Sequence, residues 1–197
     1  MNWPLPFYEQ LLKNGSSFSY ILFIFNFLLF SIPQSSSNGD FHDDLLESIT
    51  LSRMEKMTHL HFYFQDVVSG KNPTAVKIIG DGFGFGTTFM IDDALTQGPE
   101  RDSKVIGRAQ GMYSLAAQND IAFLMIVTFE FTDGLYNGSS ISMLGRNHVV
   151  DDVREMPIIG GSGVFRFARG YALAHTVWSD PKAGDASVEY NVSVVHF

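Results

Sequence analysis

An aspartate at the end of an alternating segment is the first side chain that could act as an acid. From Leu60 to Asp66 the side chains alternate about the backbone, which is typical of a β-strand. Asp66 falls on the apolar face with Leu60, Phe62 and Phe64, and we expect Phe64 to contact a bound ligand beside it. Burial disfavours a charged carboxylate, so the pKa of Asp66 should be raised and the group could donate a proton near neutral pH. The alternative is that Asp66 caps a turn by accepting hydrogen bonds from backbone amides.

A tyrosine ends the next segment that could contribute to a site, residues 104–114. The face that carries Tyr113 otherwise holds mostly small residues: Val105, Gly107, Ala109 and Gly111. Small residues leave room inside a barrel, and a phenol hydroxyl can hydrogen-bond a substrate oxygen. The alternative is a core aromatic residue whose hydroxyl is satisfied within the protein.

A glycine-dense stretch, residues 154–171, must position whatever these groups act on. It is predicted to begin as a charged turn that ends at Pro157 and to continue into a strand over 162–178. One face of that strand is narrow and the other bulky, which is what a small barrel needs where its wall curves around a cavity. Arg154 lies beside Asp151, Asp152 and Glu155, so a surface ion pair is the alternative to a functional role.

The alternating segments predict an all-β domain of eight strands. They are 58–66, 74–80, 83–91, 104–114, 121–132, 139–145, 162–178 and 186–197, with 92–102 as a loop. This spacing favours an antiparallel barrel or sandwich, and we predict the barrel. Segment 121–132 is apolar on both faces, so a subunit contact is the simplest cover for its outside.

Composition excludes several classes of function. The chain has 197 residues, enough for one domain with a core, and its net charge of −8 argues against a nucleic-acid partner. It has no cysteine, so neither a disulfide nor a thiolate metal site is possible. His59 and His61 share a face, but no third ligand accompanies them, and we predict no metal and no cofactor.

The N-terminal region resembles a targeting signal. An apolar block over 18–33 follows Lys13 and precedes a small polar stretch, as in a secretory signal. We predict a cleaved signal peptide or, alternatively, an uncleaved anchor over residues 1–37, a lead-in over 38–57 and the barrel over 58–197. Secretion would make the Asn-x-Ser acceptors Asn137 and Asn191 available for glycosylation, whereas Asn14 would be lost with the signal.

Several ordered motifs resemble those of the plant dirigent proteins. The matching stretches are 62–66, 85–93, 107–113, 136–139, 144–147, 154–157, 160–163 and 168–170. Together they span most of 58–197 in order, which makes the resemblance specific although each motif alone is weak. The resemblance implies an eight-stranded antiparallel barrel, a homotrimer or homodimer, N-glycosylation and secretion to the apoplast.

The resemblance also implies a reaction on small phenols. Family members guide the stereoselective coupling of monolignol radicals, such as those of coniferyl alcohol, into lignans, and a separate laccase or peroxidase supplies the radicals. Members of another branch are pterocarpan synthases, lyases that close a ring in an isoflavanol through a quinone methide with loss of water. A third hypothesis is a binding or scaffold protein of the cell wall.

By the same resemblance, the site residues of the family fall on Asp66, Tyr113 and Arg154, which we predict to be catalytic. Gln65 stands where a histidine more commonly precedes the aspartate. Asn147 occupies the position of a second aspartate in pinoresinol-forming members, and we predict that it binds substrate. This departure resembles the legume-type, pterocarpan-forming branch.

Overall fold

The structure is a computed structural model that describes residues 54–197, and these residues form nine β-strands and two short 3₁₀ turns. The strands are β1 (Lys56–Asp66), β2 (Ala75–Ile79), β3 (Thr88–Thr96), β4 (Val105–Leu115), β5 (Ala122–Phe131), β6 (Ser140–His148), β7 (Val153–Ser162), β8 (Arg169–Ser179) and β9 (Ala186–His196). The turns are Gly134–Tyr136 and Gly163–Phe165. Within this range no helix has the length and apolar character of a membrane span. The predicted signal segment and most of the lead-in lie outside the described residues.

Eight of the strands close into an antiparallel barrel. Around the ring the order is β1-β9-β8-β7-β6-β5-β4-β3, and β3 pairs with β1 to complete it. Residues 94–96 of β3 pair with 63–65 of β1, and the short β2 pairs with the first part of β3. The predicted eight-stranded antiparallel barrel is therefore confirmed. The ring includes β7, which was not among the predicted strands, whereas the predicted strand 74–80 is β2, which pairs only with β3.

The strand period of two separates the core from the surface. In β1, Leu60, Phe62 and Phe64 are buried, as the alternation predicts. Ala109 of β4 and Ala172 of β8 are also fully buried, and their small side chains leave space between the large aromatic ones. The interior is thus lined by aromatic rings and methyl groups, apart from the polar side chains described below.

The predicted turn at Arg154–Pro157 is wrong, because these residues belong to β7, where Arg154 and Met156 are buried. The predicted long strand over 162–178 is also wrong. Gly163 and Phe167 have φ angles of 62° and 63°, and this left-handed backbone separates β7 from β8. The break shifts the alternation, so that Phe165 and Ala168 are both buried although a continuous strand would place them on opposite faces.

The strand predicted over 83–91 begins later and ends later. Gly80 and Gly86 have φ angles of 94° and 89°, and the segment between them forms the connection from β2 to β3. As a result β3 extends through the acidic residues Asp92 and Asp93, which sequence analysis assigned to a loop. Asp93 faces the interior and Asp92 the outside, so the strand period continues across both carboxylates.

The antiparallel ring determines which strand ends meet. β1, β4, β6 and β8 run in one direction, and β3, β5, β7 and β9 run in the other. The C-terminal ends of the first group therefore lie at the same end of the barrel as the N-terminal ends of the second group. We call this end of the barrel the site end, because the five polar side chains described first below lie near it.

Candidate functional site

Five polar side chains lie near the site end of five different strands. Asp66 is the last residue of β1, Tyr113 lies near the end of β4, and Asn147 lies near the end of β6. Arg154 is the second residue of β7 and Thr176 lies near the end of β8. Sequence analysis predicted four of the five, and their roles in chemistry remain predictions.

Asp66 and Tyr113 form a hydrogen-bonded pair. The Tyr113 hydroxyl donates to Asp66 and lies 3.0 Å from Oδ2 and 3.4 Å from Oδ1. Burial raises the pKa of Asp66 to about 7, although the Tyr113 hydrogen bond acts in the opposite direction. The pKa of Tyr113 is raised by burial and by the neighbouring carboxyl of Asp66, so its phenol stays protonated and remains a donor. The pair is held by packing, because the ring of Phe89 stacks on that of Tyr113 at 5.1 Å.

Asp93 is a second interior carboxyl that sequence analysis missed. The register of β1 and β3 pairs Gln65 with Ala94, so the next position along it brings Asp66 opposite Asp93. Asp93 is fully buried, its Oδ1 accepts a hydrogen bond from the Thr74 hydroxyl, and its Oδ2 has no partner among the described residues. Burial and then the charge of Asp66 raise the pKa of Asp93 to about 8, so both carboxyls retain protons at mildly acidic pH.

Arg154 lies inside the barrel, with only 3% of its surface exposed. Its Nε donates to Oδ1 of Asn147 at 3.1 Å and one terminal nitrogen donates to the Thr176 hydroxyl at 3.0 Å. The other terminal nitrogen donates to the backbone carbonyl of Asp152 at 3.4 Å. Within residues 54–197 no carboxylate forms a salt bridge with Arg154, so the alternative of a surface ion pair is wrong. Burial lowers the pKa of Arg154, which means that its charge is held in an unfavourable medium and would gain from an anionic partner.

Tyr190 lies between the Asp66–Tyr113 pair and Arg154. Cross-strand pairing forms one row of interior positions, Arg154–Ala174–Tyr190–Phe62. Ala174 stands between Arg154 and Tyr190 in this row. Because its methyl group is small, the two longer side chains can approach each other over it. The Tyr190 ring stacks on Phe62 with centroids 5.7 Å apart, and its pKa is raised by burial. Sequence analysis assigned Tyr190 only to the last predicted strand, 186–197, and supplied no signal for a role in the site.

The remaining predicted residues have defined positions. Phe64 is buried and its ring lies 6.2 Å from that of Tyr190, so it lines the interior two residues before Asp66. Asn137 and Asn191 are exposed, and their glycosylation remains a prediction. His61 faces outward and bonds Glu189 at 2.7 Å. No three His, Cys, Asp or Glu side chains of residues 54–197 group as metal ligands would.

Comparison with known proteins places this barrel in a family. The sequence model described as Dirigent-like protein matches residues 57–195. Dirigent protein 23 of Arabidopsis thaliana is 50% identical over 149 residues, 72% of this chain and 79% of that protein. Pterocarpan synthase 1 of Glycine max is 46% identical over 177 residues, 86% of this chain and 93% of that protein.

A solved structure agrees with the sequence comparison. The structure of the pterocarpan synthase dirigent protein GePTS1 matches with a TM-score of 0.71 and 48% identity, and the match covers 74% of this chain and 88% of that chain. Fold and site thus define an antiparallel β-barrel protein with an acid and a guanidinium inside one end. This chain belongs to the dirigent protein family.

The geometry defines what the site can do chemically. On one side a carboxyl with a pKa of about 7 can give up or take a proton near neutral pH. On the other side a buried guanidinium can stabilise negative charge that develops on an oxygen. Between them lie the phenol of Tyr190 and aromatic faces suited to a flat, apolar molecule.

Proposed function

We propose that this protein is a pterocarpan synthase-type lyase, which closes a ring in an isoflavanol with loss of water. Relatives named pterocarpan synthase align over most of their length, and the Glycine max protein does so over 93% of it. The Asn147 side chain also fits this branch, because it departs from the second aspartate of pinoresinol-forming members. This reaction is a loss of water without net oxidation, so it needs no oxidant.

The step requires one acid and one base, and Asp66 serves as both. The protonated carboxyl gives its proton to the leaving hydroxyl, the carbon–oxygen bond breaks, and water departs to leave a quinone methide. A phenol oxygen of the same molecule then attacks the electrophilic carbon of the quinone methide, from which the hydroxyl left, and forms the ether bond. The proton of that phenol passes to the Asp66 carboxylate. The acid is regenerated, and the only net change is the loss of one water.

Arg154 stabilises the charge that moves during this sequence. The second phenol of the substrate reacts as its phenolate beside the guanidinium: its electron density expels the leaving group, and that oxygen becomes the carbonyl of the neutral quinone methide. It regains negative charge as the ring closes, and the guanidinium then stabilises it. Because Asn147 is neutral, it orients the guanidinium without compensating its positive charge. Stereoselectivity follows if the substrate is held in one orientation between Asp66 and Arg154.

The observation that carries the proposal is the Tyr113–Asp66 hydrogen bond in a site where burial raises the pKa of Asp66 to about 7. An aspartate with an ordinary pKa would be ionised at neutral pH and could not protonate a leaving group. Tyr113 fixes the orientation of the carboxyl and limits how far its pKa rises.

The second candidate is a guide for monolignol radical coupling, with radicals supplied by a separate laccase or peroxidase. It is favoured by 50% identity to a relative named only as a dirigent protein. The coupled product is again a quinone methide closed by an internal hydroxyl, so the same residues would act after the oxidation. A cell-wall binding or scaffold role is the third candidate, and it requires neither reaction.

Two assays separate these candidates. In the first, a racemic 4-hydroxyisoflavan is incubated with the protein without oxidant, and the ring-closed product is followed by chiral chromatography. In the second, coniferyl alcohol and a laccase are incubated with and without the protein, and the enantiomeric excess of the lignan is measured. We expect product only in the first assay. An optically active lignan from the second assay alone would favour the coupling guide, and glycan binding with silence in both would favour the scaffold role.

We further propose that the protein is secreted to the apoplast, glycosylated at Asn137 and Asn191, and assembled as a homotrimer. The signal-like segment supports secretion, and the exposure of both acceptor asparagines supports glycosylation. An apolar row on the outside of the barrel supports self-association. It follows the cross-strand pairs Val76–Met90–Met112–Ile126–Leu144 over β2 to β6.

A further inference from the structure

The connection from β2 to β3 exposes two phenylalanines at the site end of the barrel. Phe83 is 65% exposed and Phe85 is 61% exposed. Burying a phenylalanine stabilises a folded protein, so two exposed rings forgo a substantial stabilisation. Glycines stand on both sides of each ring, and no bulky neighbour in sequence shields them.

Phe83 connects this loop to the candidate site through a series of ring contacts. Its ring lies 6.1 Å from that of Phe123, and the Phe123 ring lies 5.2 Å from that of Tyr113 in an edge-to-face arrangement. The Tyr113 hydroxyl bonds Asp66. A series of ring contacts therefore connects the exposed Phe83 with the Asp66 carboxyl through the buried Phe123 and Tyr113. Phe85 makes no comparable ring contact among the described residues, although it lies in the same loop with similar exposure.

Hydrogen bonds hold the loop over this end of the barrel. The Lys77 ammonium donates to the Gly82 carbonyl at 2.7 Å, immediately before Phe83. The Gly86 amide donates to the Leu115 carbonyl at 2.8 Å, at the end of β4. Gly80 and Gly86 both have positive φ and set the direction of the segment between them. The backbone on both sides of Phe83 is thus held against this end of the barrel.

We propose that Phe83 is a specificity-determining residue, an aromatic rim against which one ring of a flat phenolic substrate packs while its reacting carbon lies near Asp66. The class of ligand rests on the proposed function above. The ring of Phe83 could contact either a substrate or a second copy of the chain. The contacts favour the substrate, because the series of rings that begins at Phe83 ends at Asp66. The outer apolar row, in contrast, runs around the wall of the barrel.

The test measures binding separately from turnover. An isoflavan that lacks the leaving hydroxyl is titrated into the full-length protein by calorimetry, and Phe83→Ala is compared with the matched control Phe85→Ala. We expect Kd to rise roughly three- to tenfold for Phe83→Ala, the range for loss of one aromatic contact. We expect Phe85→Ala to stay within about twofold and Phe83→Trp to restore binding.

Equal Kd values for wild type and Phe83→Ala would overturn the inference. A change in oligomer mass for Phe83→Ala without a change in Kd would overturn it in favour of a second copy of the chain. Failure of the proposed function is a distinct result, in which the isoflavan binds in a Phe83-dependent manner but the 4-hydroxyisoflavan is not converted. If Phe83→Ala did not fold, Phe83→Leu would replace it, because leucine keeps apolar bulk without a ring.

Discussion

Asp66 accepts a hydrogen bond from Tyr113 and lies opposite the carboxyl of Asp93. The phenol donates to the carboxylate and lowers its pKa, whereas burial raises that pKa to about 7. Asp93 reaches a pKa of about 8 through burial and the adjacent Asp66 charge. The balance leaves an acid that is poised for proton transfer near neutral pH.

The first prediction concerns the pH dependence of activity. Because Asp66 must be protonated to release water, turnover should fall as the pH rises through about 7. Tyr113→Phe removes a hydrogen bond that favours the carboxylate, so the alkaline limb of its pH profile should move to higher pH. Initial rates of ring closure across pH 5–9 check this, and Tyr136→Phe, in the 3₁₀ turn, is the matched control. A Tyr113→Phe profile that coincides with that of wild type would contradict the role assigned to the pair.

The second prediction links the two carboxyls to stability. Both have folded-state pKa values above the ordinary 3.8, so their contribution to the free energy of unfolding is complete below pH 3.8 and is lost as the pH rises toward 7 and 8. Each proton retained only by the folded state contributes a slope of about −1.4 kcal/mol per pH unit between the two pKa values. Asp93→Asn should therefore make the decline in stability from pH 5 to 7 shallower.

Denaturant unfolding at several pH values measures this slope. Asp92→Asn is the matched control, because Arg108 lowers the pKa of the exposed Asp92 carboxyl. Its contribution is present above the ordinary pKa and is lost in acid, so Asp92→Asn should leave the slope between pH 5 and 7 unchanged. Identical slopes for wild type and Asp93→Asn would show that Asp93 is ionised in the folded protein.

The third prediction concerns the neutral partner of Arg154. Asn147→Asp would place a carboxylate at hydrogen-bond distance from the guanidinium and compensate its charge. We expect the ring-closure rate to fall by at least about tenfold, which is less than the roughly 10²–10³-fold cost of removing a charge-stabilising donor, because the guanidinium itself remains. Steady-state kinetics with Asn72→Asp, an exposed residue of the β1–β2 connection, as the control would test this. Full activity of Asn147→Asp would exclude Arg154 from charge stabilisation.

At the scale of single strands, β7 carries Arg154 at one end and adjacent glycines near the other. A Cβ on Gly161 would lie 2.6 Å from the Phe165 carbonyl oxygen and 2.7 Å from that of Ser140. A Cβ on Gly160 would meet nothing within 4 Å. The two glycines therefore differ in packing although they are neighbours in the same strand.

The fourth prediction uses this difference. Gly161→Ala should lower the free energy of unfolding by roughly 1–3 kcal/mol, because the backbone must move to admit the methyl group. Gly160→Ala should have little effect. Chemical denaturation of both variants measures the difference, and equal stabilities would show that the β7–β8 turn is not as closely packed as described.

The strands also show how far the sequence could predict the site. The position of Asp66 on the interior face followed from alternation in β1, because no glycine interrupts that strand. The approach of Arg154 to Asn147 could not be predicted, since the register of β6 and β7 shifts between Ser142 and Met143. Asp93 was missed because two adjacent acidic residues are typical of a loop. The sequence alone does not show that this segment pairs with β1 and β4.

At the scale of the whole molecule, the barrel has an inside and an outside with different tasks. The inside positions the acid and the guanidinium. The outside of β2 to β6 carries the apolar row, and exposed apolar patches of this kind commonly mark contacts between subunits. Sequence analysis predicted that a subunit contact covers the outside of segment 121–132. The apolar row lies on that same outer face, because Ile126 belongs to both.

The fifth prediction tests that face. Ile126→Glu should convert the proposed trimer into monomers, because a charge cannot be buried in an apolar contact without a partner. Leu135→Glu, in an exposed 3₁₀ turn outside the row, is the control and should leave the assembly intact. Light scattering coupled to gel filtration measures the mass, and circular dichroism checks the fold. A wild-type protein that is monomeric at micromolar concentration would contradict the assignment of the row.

The most direct measurement of the central claim is the chiral analysis of ring-closed product from a racemic 4-hydroxyisoflavan without oxidant, with wild type and Asp66→Asn side by side. We expect one enantiomer in excess from wild type and a rate near background from a correctly folded Asp66→Asn, because an amide cannot supply the proton. Equal rates and equal enantiomeric excess from the two proteins would contradict the account.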